Sequence, residues 1–184
     1  MVVVIVLIVI LVVLVLAGVA VYNGLIRSKN EVENAWSQID VQLKRRLDLI
    51  PNLVETVKGY AAHERETLER VVMARNAAID APDTPGEQAA ADNVLSGALR
   101  QLFALGEAYP DLKANQNFLE LQEQITATED RVAYARQFYN DSVLNYNNKI
   151  ESIPSVFVAK ALSYTEREYF QADEAARTAP TVEF

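Results

Sequence analysis

Residues Val2 to Val21 form an unbroken apolar run of twenty residues, almost entirely Val, Ile and Leu, directly after Met1. At helical rise the run is roughly 30 Å long, the thickness of a bilayer's hydrocarbon core. No charged or strongly polar side chain interrupts it, so nothing opposes insertion. A secretory signal has a basic leader, an apolar core of about 7–15 residues and a small-residue cleavage site. Here no basic segment precedes the run, the run is longer, and Ala17-Gly-Val-Ala20 makes a poor cleavage site. The run is therefore read as a retained membrane anchor, residues 1–23, with Tyr22 placed where an interfacial aromatic belongs.

Charge then sets orientation and excludes some partners. From Arg27 to Arg75 nine Lys and Arg face eight Asp and Glu, whereas from Asn76 onward eight basic residues face seventeen acidic ones. A nucleic-acid partner calls for a basic face, which this chain does not carry. Arg27 and Lys29 follow the anchor, and the other flank has only the terminal amine. The positive-inside rule puts the N-terminus outside and the following domain in the cytoplasm. With no cysteine and a single histidine, His63, disulfide frameworks, thiolate metal sites and paired-histidine metal sites are excluded. No metal or cofactor is expected.

Beyond the anchor the apolar pattern has the helical period. A stripe with mostly three- and four-residue spacings runs through Val32, Trp36, Ile39, Leu43, Leu47, Ile50, Val54, Val57, Ala61, Leu68 and Val71, one buried face of a long helix. Pro51 is expected to kink this helix without ending it. The helix is read as continuing from Gly24 to Ile79, where residues 80–86 break it with a cluster of turn formers. Thr84, Pro85 and Glu87 then form the start of a second helix, with a capping residue, a first-turn proline and a capping box. That helix ends at Tyr109-Pro110. A third starts near Asp111 and is striped by Phe118, Leu121, Ile125, Val132, Ala135, Tyr139, Val143, Tyr146 and Ile150. Pro154 to Leu162 reads as a short amphipathic helix. The fold class is all-α: a transmembrane helix continuing into an antiparallel long-helix bundle or coiled coil. The bundle covers residues 24–170, with a flexible C-terminal tail over 171–184.

Lengths suggest an assembly. A helix from Gly24 to Ile79 reaches roughly 84 Å, the second returns about 36 Å, and the third moves away again. On that arithmetic Trp36, Ile39, Leu43, Leu47 and Ile50 keep an apolar stripe with no partner in the chain. Such a stripe marks an interaction surface, and its spacing suits a second copy. These five residues are the expected homo-oligomer interface; Tyr22, Arg27 and Lys29 are the expected membrane interface.

Catalytic readings find little support. His63-Glu64 begins like a zinc-protease motif, but Thr67 stands where the second histidine is needed. There is no nucleophile elbow and no phosphate-cradling loop. The Lys44-Arg45-Arg46 cluster lies roughly 35 Å from the anchor if the helix stands upright, beyond the reach of lipid charge. It is read as a charged surface pairing with Asp40 and Asp48. Asn115, Gln116, Asn117, Asn145, Asn147 and Asn148 are read as surface and cap positions.

Several of these segments also resemble the bacterial LemA family. They are Tyr22-Asn-Gly-Leu25, the stretch from Ala35 to Arg46, Asp48 to Lys58, His63-Glu64 and Ala74-Arg75. Further on they are Tyr109 to Phe118, Tyr139-Asn-Asp-Ser-Val143, Tyr146-Asn147 and Ile153-Pro-Ser155. The resemblance covers residues 22 to 157, with Ile153 standing where an aromatic is common and only Met1 ahead of the anchor. It implies a single-pass bacterial membrane protein with a helical cytoplasmic domain, no agreed reaction and no known catalytic residues. Members often occur beside other membrane proteins, including proteases, which hints at a role in assembly. The expected function is a non-enzymatic, membrane-anchored scaffold that self-associates through its first helix. The alternative is a monomeric tethered adaptor docking another protein through its acidic distal helices.

Overall fold

The computed structural model describes residues 1–170, so the tail expected over 171–184 lies outside the described residues. The protein is all-α, with no strand among the described residues. Its helices are α1 (Val2–Lys58), α2 (Arg65–Asp80), α3 (Pro85–Ala108), α4 (Pro110–Lys113), α5 (Gln116–Glu151) and α6 (Ser155–Ala161). The apolar run and the stripe beyond it are one helix of 57 residues, and Pro51 sits inside it as expected.

The long first helix is shorter than its stripe suggests. It stops at Lys58 and the chain resumes as α2, so the single helix expected from Gly24 to Ile79 is two helices. The break falls at Gly59, the poorest helix former after proline. The N–H groups of Tyr60 and Ala61 both donate to the Val57 carbonyl, at 3.0 and 2.8 Å, and close the helix end. Glu64, out of place on the apolar stripe, precedes α2, and its carboxylate accepts a 2.8 Å bond from the Tyr109 hydroxyl. Tyr109 therefore titrates above its ordinary value, chiefly because of that bond.

Other boundaries follow local chemistry. Thr84 caps α3 by accepting from the Glu87 N–H at 3.5 Å, with Pro85 in the first turn. Asn115 does the same for α5, its side-chain oxygen accepting from the Phe118 N–H at 2.9 Å.

The chain divides into two compact units. Among the described residues, one comprises 1–37 and 137–168 and the other 38–136 with 169–170. In the first, α5 runs antiparallel to α1. Leu25, Val32 and Ala35 on α1 and Tyr139, Val143, Tyr146 and Ile150 on α5 are buried, and Trp36 stacks on Tyr139 with ring centroids 5.4 Å apart.

In the second unit α1, α2, α3 and α5 form an antiparallel bundle. Its core includes Ile50, Leu53, Val57, Leu68, Val71, Leu95, Leu99, Leu102, Leu112, Phe118 and Ile125. Gly106 allows a close approach where α3 meets α5: an added Cβ would stand 3.2 Å from the Phe118 ring, which would have to shift by a few tenths of an ångström.

This unit also buries a charge. Arg46, expected on the surface, is 1 % exposed and bonds the equally buried Asp92 at 2.7 Å, with Glu129 at 3.4 Å. Only Lys44 of the basic cluster pairs as expected, reaching Asp40 at 2.8 Å. That contact raises the Lys44 pKa, first through the hydrogen bond. Arg46 faces inward because it is three residues after Leu43 and four before Ile50, on the apolar face. Breaking a buried ion pair leaves an uncompensated charge, so Asp92→Ala should destabilise by about 3–5 kcal/mol. Replacing the pair with apolar side chains, Arg46→Met with Asp92→Leu, should recover most of that loss. Denaturant unfolding followed by circular dichroism measures both.

Candidate functional site

The residues singled out for an oligomer interface are covered within the chain. Ile39 and Ile50 are completely buried and Leu43 is 8 % exposed. Leu47 and Trp36 are half-buried. Leu43 and Leu47 line a small hollow with Ala78, Gln88, Asp92 and Leu95, so α2 and α3 pack against them. The stripe, expected to lack a partner in the chain, has one because the break after Lys58 reverses the direction of every later helix. A long helix ending at Ile79 would send α5 away from the anchor; a hairpin at 59–64 sends it back.

These side chains now hold the fold. Replacing Ile39 and Leu43 with Asp should lower stability by more than about 3 kcal/mol, since two charges would enter an apolar interior. Thermal unfolding of the full chain in mild detergent measures this. Loss of assembly with an unchanged melting temperature would contradict it.

Tyr22, Arg27 and Lys29, the expected membrane-interface residues, occupy the first two turns of α1 beyond the apolar run. Tyr22 and Arg27 are exposed, and Lys29 lies 3.7 Å from Glu33. Beside them the last turn of α5 docks: Lys149 Nζ donates to the Gly24 carbonyl and to Ser28 Oγ, both at 2.9 Å. A Cβ at Gly24 would meet Lys149 Cε at 3.4 Å, an ordinary van der Waals contact.

The same face of α5 clamps the chain that follows α6. The amide of Asn147 forms a two-bond pair with the Arg167 backbone. Its Nδ2 donates to the carbonyl at 3.0 Å, and its oxygen accepts from the N–H at 2.9 Å. The Tyr146 hydroxyl donates to the Thr165 carbonyl at 3.0 Å and the Tyr139 hydroxyl to the Glu168 carbonyl at 2.8 Å. Residues 164–168 contain no helix, so these side chains satisfy backbone groups that secondary structure leaves open. Asn147 was expected at the surface; it is buried. The Tyr139, Val143, Tyr146 and Ile150 stripe was legible, but the clamp was not, because its partners are backbone atoms whose position no side-chain pattern encodes.

Burial pushes the Tyr139 and Tyr146 hydroxyls above the ordinary value of 10.0, against a smaller opposing pull from Arg167. The unfolded phenols ionise first, so this stabilisation is present below pH 10 and is lost as pH rises through the folded pKa. The melting temperature of the wild-type chain should therefore fall more steeply above pH about 10 than that of Tyr139→Phe/Tyr146→Phe.

His63 is exposed at the α1–α2 reversal, and the described residues contain no cluster of metal-ligating side chains. What remains is an arrangement of packing, capping and clamping. An N-terminal helix apolar enough to cross a membrane, continued into an antiparallel bundle, defines a membrane-associated helical-bundle protein. The chain belongs to the LemA family, whose pattern it matches over residues 35–184. It is similar to Protein LemA of Metamycoplasma hominis, 33% identical over 158 residues, covering 84% of this chain and 71% of the relative. It is also similar to magnetosome protein MamQ 1 of Paramagnetospirillum magneticum, 26% identical over 182 residues, covering 85% and 67%. Magnetosome protein MamQ of Magnetospirillum gryphiswaldense is 24% identical over the same length and shares.

Proposed function

We propose that this protein is a non-enzymatic, membrane-tethered adaptor that holds an acidic helical bundle at the cytoplasmic face for another protein to dock on. The observation that carries this is the outer surface of the second unit. Val72, Met73 and Ile79 on α2 and Val94 on α3 are exposed. They sit in a unit whose residues 38–136 carry eleven Lys and Arg against sixteen Asp and Glu. Apolar side chains provide contact area, and a surrounding field of one sign steers a partner of the opposite sign. The tether is α1 itself, continuous from the apolar run to Lys58, with Tyr22, Arg27 and Lys29 at the boundary. The relatives support this reading in that their names refer to a family and a magnetosome, none to a reaction.

Self-association is the second reading. The internal burial of the α1 stripe removes the ground on which its proposed interface stood. A photo-crosslinking residue at Met73 or Val94, activated in cells, separates the two readings. The adaptor reading expects a discrete adduct with a different protein, weakened by salt. An adduct of twice the 20.5 kDa chain supports self-association, and no adduct at either position defeats both. Orientation is tested by a reporter active only outside the cytoplasm, fused after Phe184: it should be silent.

A further inference from the structure

We infer that the reversal between α5 and the clamped segment, residues 152–163 with α6 at its centre, is a second membrane contact. It lays Ile153, Phe157 and Leu162 in the headgroup–acyl boundary of the bilayer that α1 crosses. The inference rests on reading Val2–Val21 as a membrane span.

Geometry within the first unit places the reversal. Lys149 meets Gly24, and ten residues back along α5 Tyr139 meets Trp36, twelve residues further along α1. The two helices are antiparallel, so two residues beyond Lys149 the end of α5 at Glu151 is level with about Tyr22, two residues before Gly24. The chain beyond Glu151 therefore lies at the level where the apolar run ends. It does not continue into the bilayer, because residues 164–168 return along α5, bonded in turn to Tyr146, Asn147 and Tyr139. Residues 152–163 are thus the turn at the span end of the unit.

The chemistry of that turn suits the place. Ile153 is 80 %, Phe157 69 % and Leu162 49 % exposed, while α6 packs inward through Ala159. Water is a poor environment for three large apolar side chains at one end of a small unit, and a bilayer boundary is the medium that geometry sets beside them. Elements lying in the interface plane combine such side chains with basic residues whose stems snorkel to the headgroups. Lys160 on α6 and Arg27 on α1 are exposed near this level. The unit as a whole has five Lys and Arg against six Asp and Glu, so charge does not hold it off the lipid.

The chain has no cysteine, so a single introduced cysteine takes a spin label uniquely. The full chain would be labelled at Ile153→Cys, Phe157→Cys, Tyr134→Cys or Val12→Cys and reconstituted in phosphatidylethanolamine–phosphatidylglycerol vesicles. At 153 and 157, collisions with a water-soluble nickel chelate should fall several-fold below those at the exposed Tyr134, and collisions with oxygen should rise toward those at Val12. Chelate access at 153 and 157 equal to that at 134, with Val12 shielded, overturns this inference and leaves the anchor intact. Access at Val12 overturns the anchor and the inference with it. Loss of chelate access without a gain in oxygen, accompanied by spin–spin broadening that disappears on dilution with unlabelled chain, shows a second copy covering the turn and overturns the lipid contact.

Discussion

A helix that carries an apolar face beyond its membrane run must cover that face or expose it to water, and most of the structure answers this constraint. Beyond the apolar run α1 presents Leu25, Val32, Ala35, Ile39, Leu43, Ile50, Leu53 and Val57 on one side, and all are buried. At about 1.5–3 kcal/mol for a fully buried large aliphatic side chain, leaving this face open would cost more than a small domain's whole stability. The reversal at residues 59–64 is what makes coverage possible within one chain. It gives the chain an even number of long helical segments beyond the apolar run, so α5 runs antiparallel to α1.

Polar groups then fix what apolar burial leaves free. Hydrophobic contact has no direction, and a helix can slide along a stripe of similar side chains at little cost. Arg46 between Asp92 and Glu129, and Lys149 on Gly24 and Ser28, are point contacts satisfied in one register only. Each lies in or beside an apolar interior, where an unpaired charge is expensive. The Asn147 pair with the Arg167 backbone acts likewise on a segment with no helical bonds of its own.

The resulting molecule uses its chemistry for position. Arg46, Lys149, Asn115 and Asn147 hold helices, a cap and the returning segment. Among its outward apolar groups are two sets: Val72, Met73, Ile79 and Val94 on α2 and α3, and Ile153, Phe157 and Leu162 around α6. We propose a basic protein surface as the partner of the first set, which sits in a net acidic unit, and lipid as the partner of the second, beside the apolar run.

The sequence by itself determined the class of this protein: the twenty-residue run, the helical period of every later stripe, the Thr84–Pro85–Glu87 start of α3, and the short helix after Pro154. These are local properties, decided by side-chain hydropathy and by backbone groups a few residues apart. Only the tertiary structure decided which stripes meet. Gly59 is a weak signal inside a strong period, since one glycine costs a helix about 1 kcal/mol, and packing between helices outweighs that. Whether the chain turns there sets the direction of everything downstream, and with it the inward path of Ile39 and Ile50, the partner of Arg46, and the backbone that Tyr139, Tyr146 and Asn147 hold. Those pairings join residues from 19 (Tyr146–Thr165) to 83 (Arg46–Glu129) positions apart, a distance over which periodicity carries no information about contact.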